Sequence, residues 1–436
     1  MHALFDQPLP REGASLDAIL DELEEKLVPW CTLVGHPGYF GLITPSPLPA
    51  GILADFLISG LNQNIGAWSI GASGVALERR VVRWLCDLAG YGASAGGNLT
   101  SGGMMANFTA MKLARDAASG DTAQHRGVQE RWAVYTSEER HVSVDKAVDA
   151  VGFGRDALRV IPTDDRFRIR LDALEEAIAK DTRAGVRPAA IVAMGGSTNT
   201  GAVDPIAELR RIADREKMRL HVDCAYGGGL LLSREHRRVL AGIEHADTIT
   251  IDPHKWFYAP LDAGAVLVRD ESQLTRSFGM EPSYLTDPMD RLSERYNYYV
   301  HSFEQSRRFR GLKVWMGLKH AGGDQIGAWV DGNIAQARRL HEMAVAHPEF
   351  ESAGPPTMSA VCLRYTGGGL PAAALAELHA AVARRIEDAG HYWISTTELK
   401  GHTWFRVNPV NWRTRMEHIE GLFETLVREC REAAAR

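Results

Sequence analysis

From about residue 98 to residue 268, short β-branched runs alternate with helical stretches, and this alternation leaves the chain few folds to choose from. The pattern predicts strands at Trp132–Thr136, Leu158–Ile161, Ala190–Met194, Arg219–Asp223, Thr248–Ile251 and Gly264–Val268. Helical patterns such as Asp172–Lys180 and Pro205–Lys217 lie between most of them. The implied class is α/β, with a mainly parallel sheet covered on both faces. Ligands of such sheets bind at the carboxyl ends of the strands. Asp223 and the segment leading to Lys255 both fall there.

The flanks differ. Leu16, Ile19, Leu20, Leu23 and Leu27 fall at helical spacing over residues 15–29, and Pro29 closes that helix. Residues 35–49 are rich in Gly and Pro and form a loop. Helical patterns return at 50–65 and at 74–90, the latter with Leu77, Val81, Trp84 and Leu85 on one face. Residues 271–311 are irregular and polar, with Tyr284, Tyr296, Tyr298 and Tyr299, as expected of a functional loop or a disordered one. A long helix is expected over 312–345, broken near Gly322-Gly323. From Phe350 onward the pattern is a small α+β unit with strands near Ala360–Tyr365, Tyr392–Thr397 and Thr403–Val407. The expected division is an N-terminal arm over 1–70, a large domain over 71–320 and a small C-terminal domain over 321–436.

The 436 residues are 45% hydrophobic and carry a net charge of −6, with no basic cluster interleaved with aromatics. That balance excludes nucleic acid as the main partner. Five cysteines, Cys31, Cys86, Cys224, Cys362 and Cys430, are scattered without a Cys-x-x-Cys, which suits reduced thiols. His341-Glu342 is followed by His347, too far for the two-histidine spacing of a zinc-protease helix, and no metal is expected. Met1–Gln7 has no signal-peptide pattern, and no apolar run is long enough to span a bilayer. The expected location is cytoplasmic, without a membrane partner.

Four segments together match the demands of one cofactor, pyridoxal phosphate. Lys255, in Asp252-Pro253-His254-Lys255-Trp256, offers an amine for a Schiff base, and the aromatic residues after it desolvate that amine. Asp223 ends an apolar strand and can hold the pyridine nitrogen, which keeps the ring an electron sink. A helix N-cap is the equal alternative for that aspartate alone. Ala225 is small enough for a close approach to the ring, and His141 offers a flat imidazole to stack on it. Thr100-Ser101-Gly102-Gly103 precedes the helical run Met104–Ala114, and a glycine turn at a helix start suits a phosphate. Each feature alone has a common structural explanation; their combination is what carries weight.

In these segments the chain resembles the group II pyridoxal-phosphate decarboxylases, the family of aromatic-L-amino-acid and glutamate decarboxylases. The resemblance rests on His221-Val222-Asp223-Cys224-Ala225-Tyr226, Asp252-Pro253-His254-Lys255-Trp256, His141-Val142-Ser143-Val144-Asp145-Lys146-Ala147 and residues 195–204 (Gly-Gly-Ser-Thr-Asn-Thr-Gly-Ala-Val-Asp). His36-Pro37 and Arg307-Arg308-Phe309-Arg310 also fit. It implies a fold type I enzyme with a mainly parallel seven-stranded sheet, an N-terminal helical arm and a small C-terminal domain. It also implies Lys255 as the Schiff-base lysine, Asp223 on the pyridine nitrogen, Ala225 and His141 on the two ring faces, and Thr198 near the cofactor. Asp252 and His254 would contact the phosphate region, with backbone from Gly103 and Met104. Relatives often carry a small hydroxyl residue where Met104 stands. In relatives a mobile-loop tyrosine protonates the quinonoid carbon, and counting back from Arg307 selects Tyr298, with Tyr299 and Tyr296 as alternatives. The family is dimeric, with the site at the interface, so a homodimer is expected.

The expected activity is decarboxylation of an L-amino acid to its amine and CO2. Between Cys31 and Leu77 there is one carboxylate, Asp55, and no Lys or Arg, so an aromatic or apolar side chain suits Tyr39, Phe40, Ile43 and Trp68 better than an acidic one. Leu42-Ile43-Thr44-Pro45 and Ala67 replace the aromatic wall of animal aromatic decarboxylases. An aldehyde synthase or another carbon–carbon lyase is the alternative within the cofactor class, and an inert binding or scaffold homologue is the alternative outside it.

Overall fold

The computed structural model describes residues 4–280 and 295–435. Its larger sheet has seven strands: β1 (Gly96–Thr100), β2 (Trp132–Ser137), β3 (Leu158–Ile161), β4 (Arg187–Met194), β5 (Arg219–Asp223), β6 (Thr248–Ile251) and β7 (Gly264–Val268). The order is β1-β7-β6-β5-β4-β2-β3. Only β7 runs against its neighbours, β1 and β6, while the other pairs are parallel. All six strands expected from the sequence are present. The seventh, β1, reads Gly-Gly-Asn-Leu-Thr and has no β-branched signal before its last residue. Its glycine has a packing reason: a Cβ on Gly97 would lie 2.2 Å from the Val266 carbonyl oxygen.

Both faces of this sheet are buried, which explains the near-continuous apolar runs. Ile191 and Ala193 join one core with Leu220, Val222, Ile249 and Ile251. Ala190, Val192 and Met194 join the other with Val134, Val266 and the helix Gly103–Ser119. Strand register aligns Met194 with Asp223, and Asp223 with Thr250, so three side chains stand in a row at the carboxyl edge.

The smaller sheet contains β8 (Phe350–Ser352), β9 (Val361–Tyr365), β10 (Ser395–Leu399) and β11 (His402–Val407), all antiparallel in the order β10-β11-β9-β8. The expected break near Gly322-Gly323 separates helices Gly311–Ala321 and Gly323–Ala346. The second of these joins the two cores. Its Ile326, Val330 and Ile334 pack under the larger sheet, and its Ala337, Leu340 and Ala344 pack under the smaller one. A short helix, Ser272–Phe278, lies in the stretch whose pattern is irregular in sequence.

One buried ion pair ties the loop-bearing segment to the sheet. Arg307 Nη2 lies 2.5 Å from Glu78 Oε1, with both side chains almost wholly buried. Arg307 also donates to the Leu99 carbonyl at 2.9 Å, and the Gly311 N–H donates to Glu78 Oε2 at 3.2 Å. The pair thus joins helix Trp68–Leu88, strand β1 and the helix that begins at Gly311.

The N-terminal segments leave apolar surface exposed. Helix Leu16–Lys26, capped by Ser15, buries none of its residues. Helix Pro49–Leu61 buries Gly51, Ala54 and Ile58 and exposes Ile52, Leu53, Phe56, Leu57 and Leu61.

Removing one partner of a buried ion pair leaves the other charge uncompensated. Glu78→Ala is therefore expected to lower stability by about 3–5 kcal/mol, measured by denaturant unfolding with the cofactor bound. A loss below about 1 kcal/mol, the range of an exposed pair, would show that the pair does not tie these elements.

Candidate active site

The cleft at the carboxyl edge of the larger sheet is lined by Gly103, Met104, Asn107, His141, Ser143, Met194, Gly196, Thr198, Asp223, Ala225, Tyr226, Asp252 and Lys255. Most of the residues singled out in sequence for the cofactor meet here. Each arrives from a strand end or the turn after it. Asp223 ends β5, Asp252 and Lys255 follow β6, Thr198 follows β4, and His141 caps helix Val142–Ala150 after β2. Gly103 opens helix Gly103–Ser119 after β1.

Asn107, which the sequence pattern did not single out, organises the cleft. Its Nδ2 donates to Asp223 Oδ2 at 2.7 Å and to Ser143 Oγ at 2.8 Å. Its Oδ1 accepts from Thr250 Oγ1 at 2.7 Å and faces His221 Nε2 at 2.9 Å. An amide oxygen can only accept, so His221 carries its proton on Nε2. Its Nδ1 then accepts from Thr248 Oγ1 at 2.9 Å. On the other side, His141 Nδ1 accepts from the Ser143 N–H at 3.2 Å and lies 2.8 Å from Ser143 Oγ. The hydroxyl of Ser143 receives from Asn107 and donates to His141. A directed chain thus runs from Thr248 through His221 and Asn107, where it forks to Asp223 and, through Ser143, to His141. Burial holds both imidazoles below the usual histidine range, His221 down to about 4.

Asp223 Oδ1 also accepts from the Ala225 N–H at 3.2 Å. The buried carboxylate is fixed by donors on both oxygens and opens onto the cleft. Lys255 Nζ lies 3.1 Å from Asp252 Oδ2, which also lies 3.6 Å from His254 Nε2. His254 Nδ1 accepts from the Ala263 N–H at 3.0 Å, which leaves the proton on Nε2. Burial keeps His254 below the usual range too.

The glycine turn tests whether pyridoxal phosphate fits; Asp252 Oδ1, buried with no hydrogen-bond partner among the described residues, is an acceptor that a phosphate cannot satisfy. A Cβ on Gly103 would lie 2.8 Å from Asp252 Oδ2 and 3.1 Å from the Ala225 methyl, and one on Gly102 would lie 3.4 Å from His254. The glycine turn and helix start are therefore pressed against the residues expected around the phosphate and the ring. Lysine, buried acid, imidazole and glycine-turned helix start together suit the cofactor.

Other sequence candidates are placed elsewhere. Tyr39 stacks on Trp393 at 5.1 Å, Phe40 is buried in the core of the smaller sheet, and Ile43 packs with Leu48 in the larger core. Trp68 and Tyr298 share a third cluster with Ile58, Ile65, Val75 and Phe309. None of these five lines the cleft of its own chain. Tyr298 is fully buried beneath the Arg307 guanidinium, and its hydroxyl has no hydrogen-bond partner among the described residues. Tyr296 donates to Glu271 at 3.1 Å, and the Tyr299 N–H donates to the Gly66 carbonyl. Tyr284 lies outside the described residues.

Sequence patterning also passed over Arg406, on β11. Its guanidinium holds the carbonyls of Thr198 (2.5 Å) and Gly41 (2.6 Å), which joins the smaller sheet to the cleft. It has no carboxylate partner among the described residues, and burial pulls its pKa down. Among the described residues no three His, Cys, Asp or Glu side chains are grouped to hold a metal, and no helix is long and apolar enough to cross a membrane.

The buried His221 makes stability depend on pH. In the unfolded chain it takes up a proton near its ordinary value of 6.5, but in the folded chain only near 4. Its contribution is complete above about pH 6.5 and is lost on acidification toward 4, in total about 3 kcal/mol. Unfolding of wild type and His221→Asn from pH 7 to 4 should show a shallower decline in the variant. Parallel declines would contradict a neutral buried imidazole.

A family model described as the pyridoxal-dependent decarboxylase conserved domain matches residues 1–366. The chain is 33% identical over 414 residues to the aromatic-L-amino-acid decarboxylase of Bacillus atrophaeus, covering 95% of this chain and 85% of that one. It is 32% identical to the L-2,4-diaminobutyrate decarboxylase of Rhizobium meliloti (strain 1021), covering 98% and 84%. Its structure is similar to the crystal structure of Oryza sativa TDC with PLP and tryptamine, with a TM-score of 0.92 and 27% identity, over 99% of this chain and 91% of that one. The chain belongs to the pyridoxal-dependent decarboxylases and is a fold type I, pyridoxal-phosphate-dependent carboxy-lyase.

Proposed function

We propose that this carboxy-lyase converts an L-amino acid with an aromatic or apolar side chain to the amine and CO2. One observation carries the substrate class. Apart from Lys255, no residue lining the cleft is a cation; Asp223 already has donors on both oxygens, from Asn107 and Ala225, and Asp252 faces Lys255 and His254 through Oδ2. A distal carboxylate or ammonium would enter without a dedicated counter-charge, which is costly in a partly buried site. The similarity to the Bacillus atrophaeus aromatic-L-amino-acid decarboxylase supports the same class.

The bound cofactor supplies an electron sink for the pair released when the Cα–carboxylate bond breaks. Lys255 would hold the cofactor through its amine. Asp223, fixed by Asn107 and the Ala225 N–H, would keep a proton on the pyridine nitrogen. His141 would cover one ring face in its neutral form, and Ala225 would lie against the other. Thr198 would flank the ring, while the backbone of Gly103 and Met104 and the His254 imidazole would hold the phosphate end, with Asp252 beside it facing Lys255 and His254. Arg406, a buried cation behind Thr198, suits the substrate's α-carboxylate. Tyr298 returns a proton to Cα.

A homodimer accounts for the position of Tyr298. The tyrosine and Trp68 lie in a cluster with Ile58, a buried residue of the helix whose outer face exposes Phe56 and Leu57. Exposed apolar area of this kind marks a subunit interface. Docked there, a second copy would receive Tyr298 and Trp68 at its own cleft, and the loop would leave its resting cluster. Tyr39, Phe40 and Ile43 then support the segment behind that wall.

Incubation of the holoenzyme with a mixture of L-amino acids should yield an aromatic amine one-to-one with CO2. L-Glutamate and L-2,4-diaminobutyrate should turn over at least about a hundredfold more slowly, since an unpaired charge costs several kcal/mol. Faster turnover of either charged substrate would sink the substrate assignment. Aldehyde and ammonia with consumption of dioxygen would place the enzyme among aldehyde synthases instead.

Sharing of the site is tested by mixing. Lys255→Ala and Tyr298→Phe should each lose most amine formation, the latter by about a hundredfold or more. Subunit exchange between equal amounts should restore about a quarter of the sites. No recovery, with exchange verified by mass, would place the proton donor within one chain or on another residue.

A further inference from the structure

At the edge of the larger sheet opposite the cofactor cleft, Arg210, Arg219, Arg269 and Lys217 gather around Asp247 and Asp214 in a cleft of about 330 Å³. Arg219 begins β5 and Asp247 immediately precedes β6, the strands that deliver Asp223 and Asp252 to the cofactor at their other ends. This site is therefore distinct from the phosphate cradle at Gly103.

The charges do not balance. Arg210 Nη1 lies 2.8 Å from Asp247 Oδ2, while Arg219 and Arg269 reach Oδ1 at 3.2 and 2.7 Å. The Leu220 N–H also donates to Oδ2 at 2.8 Å. Asp247 is saturated by these four donors. Arg210 pairs once more, with Asp214 at 2.7 Å, and its Nε is buried without an acceptor among the described residues. Four cations face two carboxylates, a surplus of two positive charges in a chain of net charge −6. Arg219 and Arg269 are partly exposed, and each commits one terminal nitrogen to Asp247 in these pairs, so N–H groups of each planar fork remain for a ligand. A saturated carboxylate behind a fan of guanidinium groups fixes those forks in place, and forks of this kind match tetrahedral oxyanions.

We propose that this cleft binds a small dianion of phosphate chemistry, either free phosphate or a phosphomonoester. The surplus of two charges matches the charge of the ligand, and Asp247 acts as the positioning residue that holds Arg210, Arg219 and Arg269 toward it.

The experiment uses holoenzyme saturated with pyridoxal phosphate, so that the cofactor's own phosphate cradle is filled. Inorganic phosphate is titrated calorimetrically at constant ionic strength set with chloride. The expected result is saturable binding of about one phosphate per chain, weakened about tenfold in Arg219→Gln, which removes one charge-assisted contact. Lys217→Gln provides a second variant at a side chain outside the Asp247 network, with weakening in the same direction. The visible spectrum of the bound cofactor should remain unchanged in both. A parallel titration with glycerol 3-phosphate identifies the source: tighter binding marks the phosphomonoester, and weaker binding marks free phosphate. Absence of saturable binding, or equal affinity in wild type and both variants, would overturn the proposal and leave the cluster as a tie across the sheet edge.

Discussion

The cofactor cleft depends on the four hydrogen bonds of one amide. Asn107 sits on the helix that starts at the glycine turn, and it joins that helix to β5 through Asp223 and His221, to β6 through Thr250, and to the His141 segment through Ser143. Because both its donors and both its acceptors are used, the amide orientation is fixed, and with it the tautomers of His221 and His141. The buried acid Asp223 and the imidazole of His141, the latter through Ser143, are thus set by the same side chain. Apolar substitution there would strand four polar partners in a dry site, each costly to leave unmade.

The strand architecture explains why these residues can meet. Parallel neighbours in register place Met194, Asp223 and Thr250 side by side at one edge, although they lie far apart in the chain. The opposite ends of β5 and β6 gather a different chemistry, arginines around Asp247. The same strands thus carry a carboxylate facing the cleft at one end and a cationic fan at the other.

Much of this was legible in the sequence. The β-branched runs located six strands because buried parallel strands must be apolar on both faces. The segments around His141, Asp223 and Lys255 pointed to one cleft because these residue types have few other reasons to recur in that order. Strand β1 was hidden because its close approach to β7 requires glycine, which erases the strand signal. Asn107 was hidden because an asparagine inside a helix has no motif, and its meaning comes only from four partners on other elements. Arg406 was hidden for the same reason: its partners are backbone carbonyls distant in sequence. Tyr39, Phe40, Ile43 and Trp68 lie outside the cleft of their own chain, a placement that apolar composition near a motif does not reveal.

The most direct test is to reduce the holoenzyme with sodium borohydride, which fixes the cofactor permanently to the amine that holds it, and to map the modified peptide by mass spectrometry. The expected result is one cofactor adduct per chain, on Lys255, absent from Lys255→Ala. An adduct on another lysine, or none in protein that has taken up the cofactor, would contradict the site built around Asp223 and Asn107.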